Sequence, residues 1–198
     1  MSVRAHRIGL LGGAFDPPHQ AHVALARAAL DQLELDELRI IPTGQAWHKS
    51  RSLTPGAHRL AMARLAFAGL PGVLVDDSEI ARGGPTYTID TLQALHLEQP
   101  QAELYLVIGG DQWAAFTTWR RWREVAQRAH VCVVDRPDLA QGGPDDVPVR
   151  HLRLSPMAIS ATALREHLAR GLPVAALSPQ LPEAVARYIS EHHLYVPG

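Results

Sequence analysis

Short apolar runs alternate along the chain with longer stretches whose hydrophobic residues recur at helical spacing. Arg7 to Leu11 is apolar and ends at Gly12-Gly13, which predicts a buried strand running into a turn. Pro17-Pro18 then predicts the opening of a helix to about Leu33, with His22, Leu25, Ala29 and Leu33 on one face. Leu38 to Ile41 reads as a second strand closed by Pro42, and Thr43 to Ser52 as a polar connection. Thr54-Pro55 supplies a cap and a first-turn proline for a helix to about Ala68. Further strands are expected at Val73 to Val75, Leu104 to Ile108, His130 to Val134 and Val149 to Leu154. Between them lie a helix near Thr88 to Glu98 and a Gly-, Pro- and Asp-rich surface loop from Pro137 to Pro148. Ser160 caps a helix that ends at Gly171, and a last helix covers about Pro182 to His192.

Strands alternating with helices imply an α/β fold, a parallel sheet with helices on both faces. Ligands of such sheets sit beyond the carboxyl ends of the strands. The segments to search are therefore the loops after Leu11, Ile41, Ile108, Val134 and Leu154. The length of 198 residues predicts one domain, 1–198, with a small C-terminal helical part from about 156.

Composition narrows the function classes. Nineteen basic and 20 acidic side chains leave a net charge of −1, which argues against a nucleic-acid partner. No run of 18 apolar residues occurs, so no membrane span is expected. A lone Cys132 excludes a disulfide framework and fits a reducing, cytoplasmic compartment. The first residues lead straight into a strand-like run, unlike a cleaved signal.

The first cluster of chemistry follows the first strand: Gly12-Gly13-Ala14-Phe15-Asp16-Pro17-Pro18-His19-Gln20-Ala21-His22. Glycines let a ligand approach the backbone, and a helix start offers unpaired N–H groups and a positive dipole end. His19 and His22, three apart on the expected first turn, project toward that volume and can donate to phosphate oxygens. As zinc ligands the pair lacks a third partner at suitable spacing. A second cluster is Ile159-Ser160-Ala161-Thr162-Ala163-Leu164-Arg165, where Ser160 opens a helix and Arg165 carries a charged fork. Backbone amides from Thr86 to Thr88, at another helix start, suit a small carboxylate or a plain helix cap equally well. Gly109 and Asp111 end the central strand, where Asp111 can meet a ribose hydroxyl or orient magnesium.

These segments, taken in order, resemble the nucleotidyltransferase superfamily, whose signature is Gly-Gly-x-Phe-Asp-Pro-x-His-x-Gly-His, and within it the bacterial nicotinate-nucleotide adenylyltransferases. The resemblance spans Gly9 to about Tyr195. Ala14 stands where Ser or Thr is common, Ala21 where Gly is usual, and Trp47 where Pro precedes His48-Lys49. The resemblance implies a Rossmann-like doubly wound sheet and adenylyl transfer from ATP to nicotinate mononucleotide, giving deamido-NAD and pyrophosphate. It assigns His19, His22, Lys49 and Arg165 to catalysis. ATP falls to Gly12, Gly13, Ala14, Phe15, His19, His22, Gly109, Asp111, Ile159, Ser160 and Arg165. The mononucleotide falls to Asp16, Thr86, Tyr87, Thr88, Arg136 near its phosphate, and Trp119 stacked on the pyridine ring. Mg²⁺ is expected to arrive on ATP, with no dedicated protein cage. A phosphopantetheine adenylyltransferase would share the first and last clusters but gives no reason for Thr86-Tyr87-Thr88 with Trp119.

Overall fold

A computed structural model describes residues 4–44, 53–135 and 142–196. Six strands form one all-parallel sheet: β1 (Arg7–Gly13), β2 (Glu37–Pro42), β3 (Val73–Val75), β4 (Glu103–Gly109), β5 (His130–Asp135) and β6 (Val149–Arg153). Their order is β3-β2-β1-β4-β5-β6, so the winding direction reverses between β1 and β4. Gly13 lies level with Pro42, and Gly109 with Val134, which sets the carboxyl ends of four strands at one rim. The switch point of that rim is where the glycines of the first cluster and of Gly109-Gly110-Asp111 emerge.

The helices are α1 (Gln20–Gln32), α2 (Gly56–Phe67), α3 (Ser78–Arg82), α4 (Thr88–Glu98), α5 (Gly110–Ala114), α6 (Trp122–Arg128), α7 (Ala161–Ala169) and α8 (Glu183–Glu191). Two cores result, one on each face of the sheet, because alternate strand residues point to opposite sides. Leu11, Tyr105, Val107, Cys132 and Val134 pack with Val23, Met62, Leu164 and Val185 from α1, α2, α7 and α8. Leu10, Leu106, Ile108, Val131 and Val133 pack with Leu92, Trp113 and Val125 from α4, α5 and α6. Strands buried on both faces read as continuous apolar runs, which is why they were legible.

Two expectations are corrected. The first helix does not open at Pro17-Pro18: α1 starts at Gln20 with His19 as its N-cap, so His19 lies before the helix instead of on its first turn. The segment from Ala14 to Pro18 leaves the helical path, with Phe15 at φ +48° and a cis Asp16–Pro17 peptide, because the Phe15 ring and the Asp16 carboxylate are both buried. Thr54 is not a side-chain cap. Pro55 caps α2, and Thr54 uses its main chain for tertiary bonds described below. The short α3, α5 and α6 were not anticipated, since helices of one or two turns show no periodicity and depend on packing for stability.

Candidate active site

The rim at the β1/β4 switch is built from the first cluster upward. A Cβ placed at Gly12 would meet nothing within 4 Å, so the strand end is open to an approaching group. A Cβ at Gly13 would come within 3.2 Å of the Phe15 ring, which lies in the core against Phe67. The Phe15 ring therefore braces the loop from the core side. That ring also meets His22 edge-on, with centroids 5.0 Å apart.

His19 and His22 stack with centroids 3.8 Å apart and planes 25° from parallel. The His22 Nδ1 accepts the backbone N–H of His19 at 3.2 Å, in the manner of a capping box. An imidazole nitrogen that accepts has no proton, so neutral His22 carries its proton on Nε2. The ring thus presents a fixed N–H donor from the first turn of α1. His19 is 5% exposed and His22 half-buried. At this helix start the Gln20 amide donates to the Gln180 carbonyl at 2.9 Å and the His22 amide to the His19 carbonyl at 2.9 Å, so the dipole end rather than open amides faces the loop.

Arg165 reaches this loop from the far end of the chain. Its Nη1 donates to the carbonyl of Asp16 at 2.6 Å, across 149 residues of sequence, and its Nη2 to Thr162 Oγ1 at 3.0 Å. Ser160 caps α7 as expected, its Oγ accepting from the Ala163 amide at 3.1 Å. Asp16 is 1% exposed: Tyr195 donates its hydroxyl to Oδ1 at 2.7 Å, and the Thr54 amide donates to Oδ2 at 3.3 Å. Burial, with the bond to Asp16 second, raises the Tyr195 pKa far above its ordinary value and keeps the hydroxyl a donor.

A second group lies across the rim. Tyr87 caps α4, so the amides just after it lack intrahelical acceptors. Thr86 is buried, and its Oγ1 has no hydrogen-bond partner among the described residues. Arg120 stacks its guanidinium 4.6 Å above the Tyr87 ring, joining this helix start to Trp119, which is half-buried beside Phe116. Asp111 is exposed on the first turn of α5. Among the described residues no group of three or more His, Cys, Asp or Glu side chains is arranged to hold a metal ion.

The cytidylyltransferase-like family model matches residues 10–167, a span that opens just before the glycine loop and closes just past Arg165. The "Probable nicotinate-nucleotide adenylyltransferase" of Albidiferax ferrireducens is 49% identical over 96% of this chain and 98% of its own length. The protein of that name from Methylibium petroleiphilum is 44% identical over 96% of this chain and 93% of its own length. The chain belongs to the nicotinate-nucleotide adenylyltransferase family. It is accordingly a nucleotidyltransferase of NAD biosynthesis. Its fold is shared with the Plasmodium falciparum nicotinic acid mononucleotide adenylyltransferase solved with NaAD, at a TM-score of 0.80 and 17% identity, covering 96% of this chain and 97% of that one.

Set on this family fold, the expected residues divide cleanly. Gly12, Gly13, Ala14, Phe15, Asp16, His19 and His22 lie on one stretch after β1, which Arg165 reaches through Asp16 while Ile159 and Ser160 open the helix that carries it, and Gly109 with Asp111 lies at the end of the neighbouring strand β4. Thr86, Tyr87, Thr88 and Trp119 form the second group. Trp47, His48, Lys49 and Arg136 lie outside the described residues. Cys132 is buried in the sheet, where burial pushes its thiol up to about 12, so it takes no part. Sequence reasoning missed Arg59, Thr54, Tyr195 and Arg120. For Arg59 a signal existed: an arginine at the head of the buried row Met62, Ala63, Ala66 on α2 is out of place unless its charge is held.

Proposed function

We propose that this site transfers the adenylyl group of ATP to the phosphate of nicotinate mononucleotide, giving deamido-NAD and pyrophosphate. The attacking group is the substrate's own phosphate, whose second pKa of about 6 leaves it largely dianionic at neutral pH. No general base is needed. What the reaction requires is in-line alignment and donors for charge growing at the α-phosphorus. His22 supplies a donor of fixed tautomer, and the start of α1 adds a positive dipole end. Arg165, with Lys49, takes the β- and γ-phosphates and the leaving pyrophosphate.

On the other side the Thr86–Thr88 amides and the Thr86 hydroxyl receive the pyridine carboxylate, Trp119 stacks on the ring, and Arg136 takes the mononucleotide phosphate. Asp16 serves that side by holding the loop in place, its carboxylate being engaged by Tyr195 and Thr54 and its carbonyl by Arg165. Asp111, the exposed carboxylate at the β4 end, would meet a ribose hydroxyl or Mg²⁺ carried by ATP, which would offset phosphate charge. No helix of the described residues is long and apolar enough to cross a membrane, and a cytoplasmic location, where ATP is at hand, follows this reading.

The observation that supports this reading most is the Arg165–Asp16 bond, which joins the first and last clusters into one anion-binding loop. The test is pyrophosphate release from ATP with nicotinate mononucleotide, nicotinamide mononucleotide and phosphopantetheine in parallel. The nicotinate compound should give the highest kcat/KM. Faster turnover of phosphopantetheine, or of CTP in place of ATP, defeats the reading.

A further inference from the structure

Arg59 is 2% exposed, and its guanidinium is spread over three backbone carbonyls from three segments of chain. Nε donates to Thr54 at 2.8 Å, Nη1 to Ala14 at 3.0 Å and Nη2 to Gly44 at 3.1 Å. One carbonyl belongs to the loop after β1, one to the chain leaving β2, and one to the entry of α2. The planar fork of arginine suits this role, because five N–H donors in a rigid array fix three acceptors at once, which the single ammonium of lysine cannot. The Thr54 peptide is gripped from both sides, its carbonyl by Arg59 and its amide by the Asp16 carboxylate. Asp16 is held in turn by the Tyr195 hydroxyl, and the Asp16 carbonyl receives Arg165.

We infer that Arg59 and Tyr195 are positioning residues for adenylyl transfer, acting together through the Thr54–Asp16 link. Their bonds set the path of the chain from Ala14 to His19, and with it the His22 donor and the Arg165 fork. Neither side chain needs to touch a substrate. Gly44 extends the same grip toward the second group, since a Cβ there would lie 3.2 Å from Thr86 Cγ2 and 2.5 Å from the Glu79 carbonyl. A buried cation costs desolvation, and hydrophobic residues of like size are often as stabilising or more so. Its placement under the anion-binding loop is what the positioning role accounts for.

This inference rests on the adenylyl-transfer reading, so wild-type turnover with ATP and nicotinate mononucleotide is measured first; failure there counts against that reading and not against this one. Arg59→Lys and Tyr195→Phe are then compared well below the melting temperature of each. Arg59→Lys should lower kcat roughly 10- to 100-fold, as a displacement of about 1 Å in the reacting groups does. KM for each substrate should stay within about threefold. Tyr195→Phe should lower kcat roughly 2- to 10-fold with the same unchanged KM values, as the hydroxyl that ties Asp16 is lost. The double variant should lose less than the product of the two, because both loosen one link.

A lowered melting temperature with full kcat in Arg59→Lys reduces the arginine to a structural brace and overturns the proposal. So does a rise in KM alone, or strictly multiplicative losses. Should Arg59→Lys fail to fold, Tyr195→Phe decides: a folded variant with full kcat overturns the inference, and a reduced kcat at unchanged KM supports it.

Discussion

Replacing His22 by asparagine, glutamine and alanine separates the capping bond its ring makes from the donor role proposed for it. Nδ1 accepts the His19 amide at 3.2 Å and caps α1, while Nε2–H is the donor assigned to the α-phosphate. Asparagine puts an acceptor near the Nδ1 position and nothing at Nε2. Glutamine puts a donor near Nε2 and leaves the His19 amide poorly served. Alanine removes both. Losing a donor that acts on transition-state charge costs about 10²–10³ in kcat, or about 2.7–4 kcal/mol. Losing the cap costs about 1 kcal/mol of stability, which for a chain of this length lowers Tm by about 2–4 °C. His22→Asn should therefore keep its Tm and lose kcat. His22→Gln should lose Tm and retain more of kcat than the asparagine variant. His22→Ala should lose both. Pyrophosphate release under saturating ATP and nicotinate mononucleotide gives kcat, and thermal melts of the same preparations give Tm. Near-normal kcat in His22→Asn would refute the assignment of Nε2–H to the α-phosphate. Equal kcat losses in the asparagine and glutamine variants would refute the division of labour.

Trp119→Ala should weaken nicotinate mononucleotide by about 1–3 kcal/mol, roughly 5- to 150-fold, and leave ATP binding unchanged, as titration with each substrate will report. Its preference for the nicotinate over the nicotinamide compound should survive, because the carboxylate is read by the Thr86–Thr88 amides; a lost preference would move acid recognition to the ring. Arg165→Ala should raise KM for ATP and lower kcat together, each by roughly tenfold or more, and Arg165→Lys should recover only part, since the fork that donates to Asp16 is the one proposed to take phosphate. Full recovery in the lysine variant would mean that charge alone suffices. Acid should destabilise the fold in a specific window. The Arg39 guanidinium holds Glu98 below the usual carboxylate range, and the Arg7 backbone N–H, aided by Arg4, does the same for Asp36. Groups with lowered folded pKa values stabilise above their unfolded values of about 4 and lose that contribution as pH falls through the folded ones. Tm should hold from pH 7 to about 5 and drop below about pH 4, less steeply in Glu98→Gln. A Tm that rises on acidification below about pH 5 would contradict this.

The regular elements were legible because parallel strands buried on both faces spell continuous apolar runs, as in β1, β4 and β5, and because Ser160 and Gly171 mark the ends of α7 by local chemistry. The residue types for the reaction were legible for a related reason: anion binding at a strand-to-helix turn needs glycines, histidines and a capped helix at short range, all within a few residues of one another. What the tertiary structure decided lies at long range. That His19 precedes α1 instead of riding on it follows from burial of Phe15 and Asp16, which no local pattern of prolines encodes. That His22 carries its proton on Nε2 follows from one backbone N–H. That Arg59 binds carbonyls of Ala14, Gly44 and Thr54, and that Tyr195 returns from the far end of the chain to Asp16, 179 residues away, depends on segments meeting only after the sheet has assembled. Backbone carbonyls carry no residue identity, so contacts made to them leave no motif to read. Sequence therefore determines which side chains the rim can carry, and the folded chain determines which of their atoms other parts of the protein hold in place.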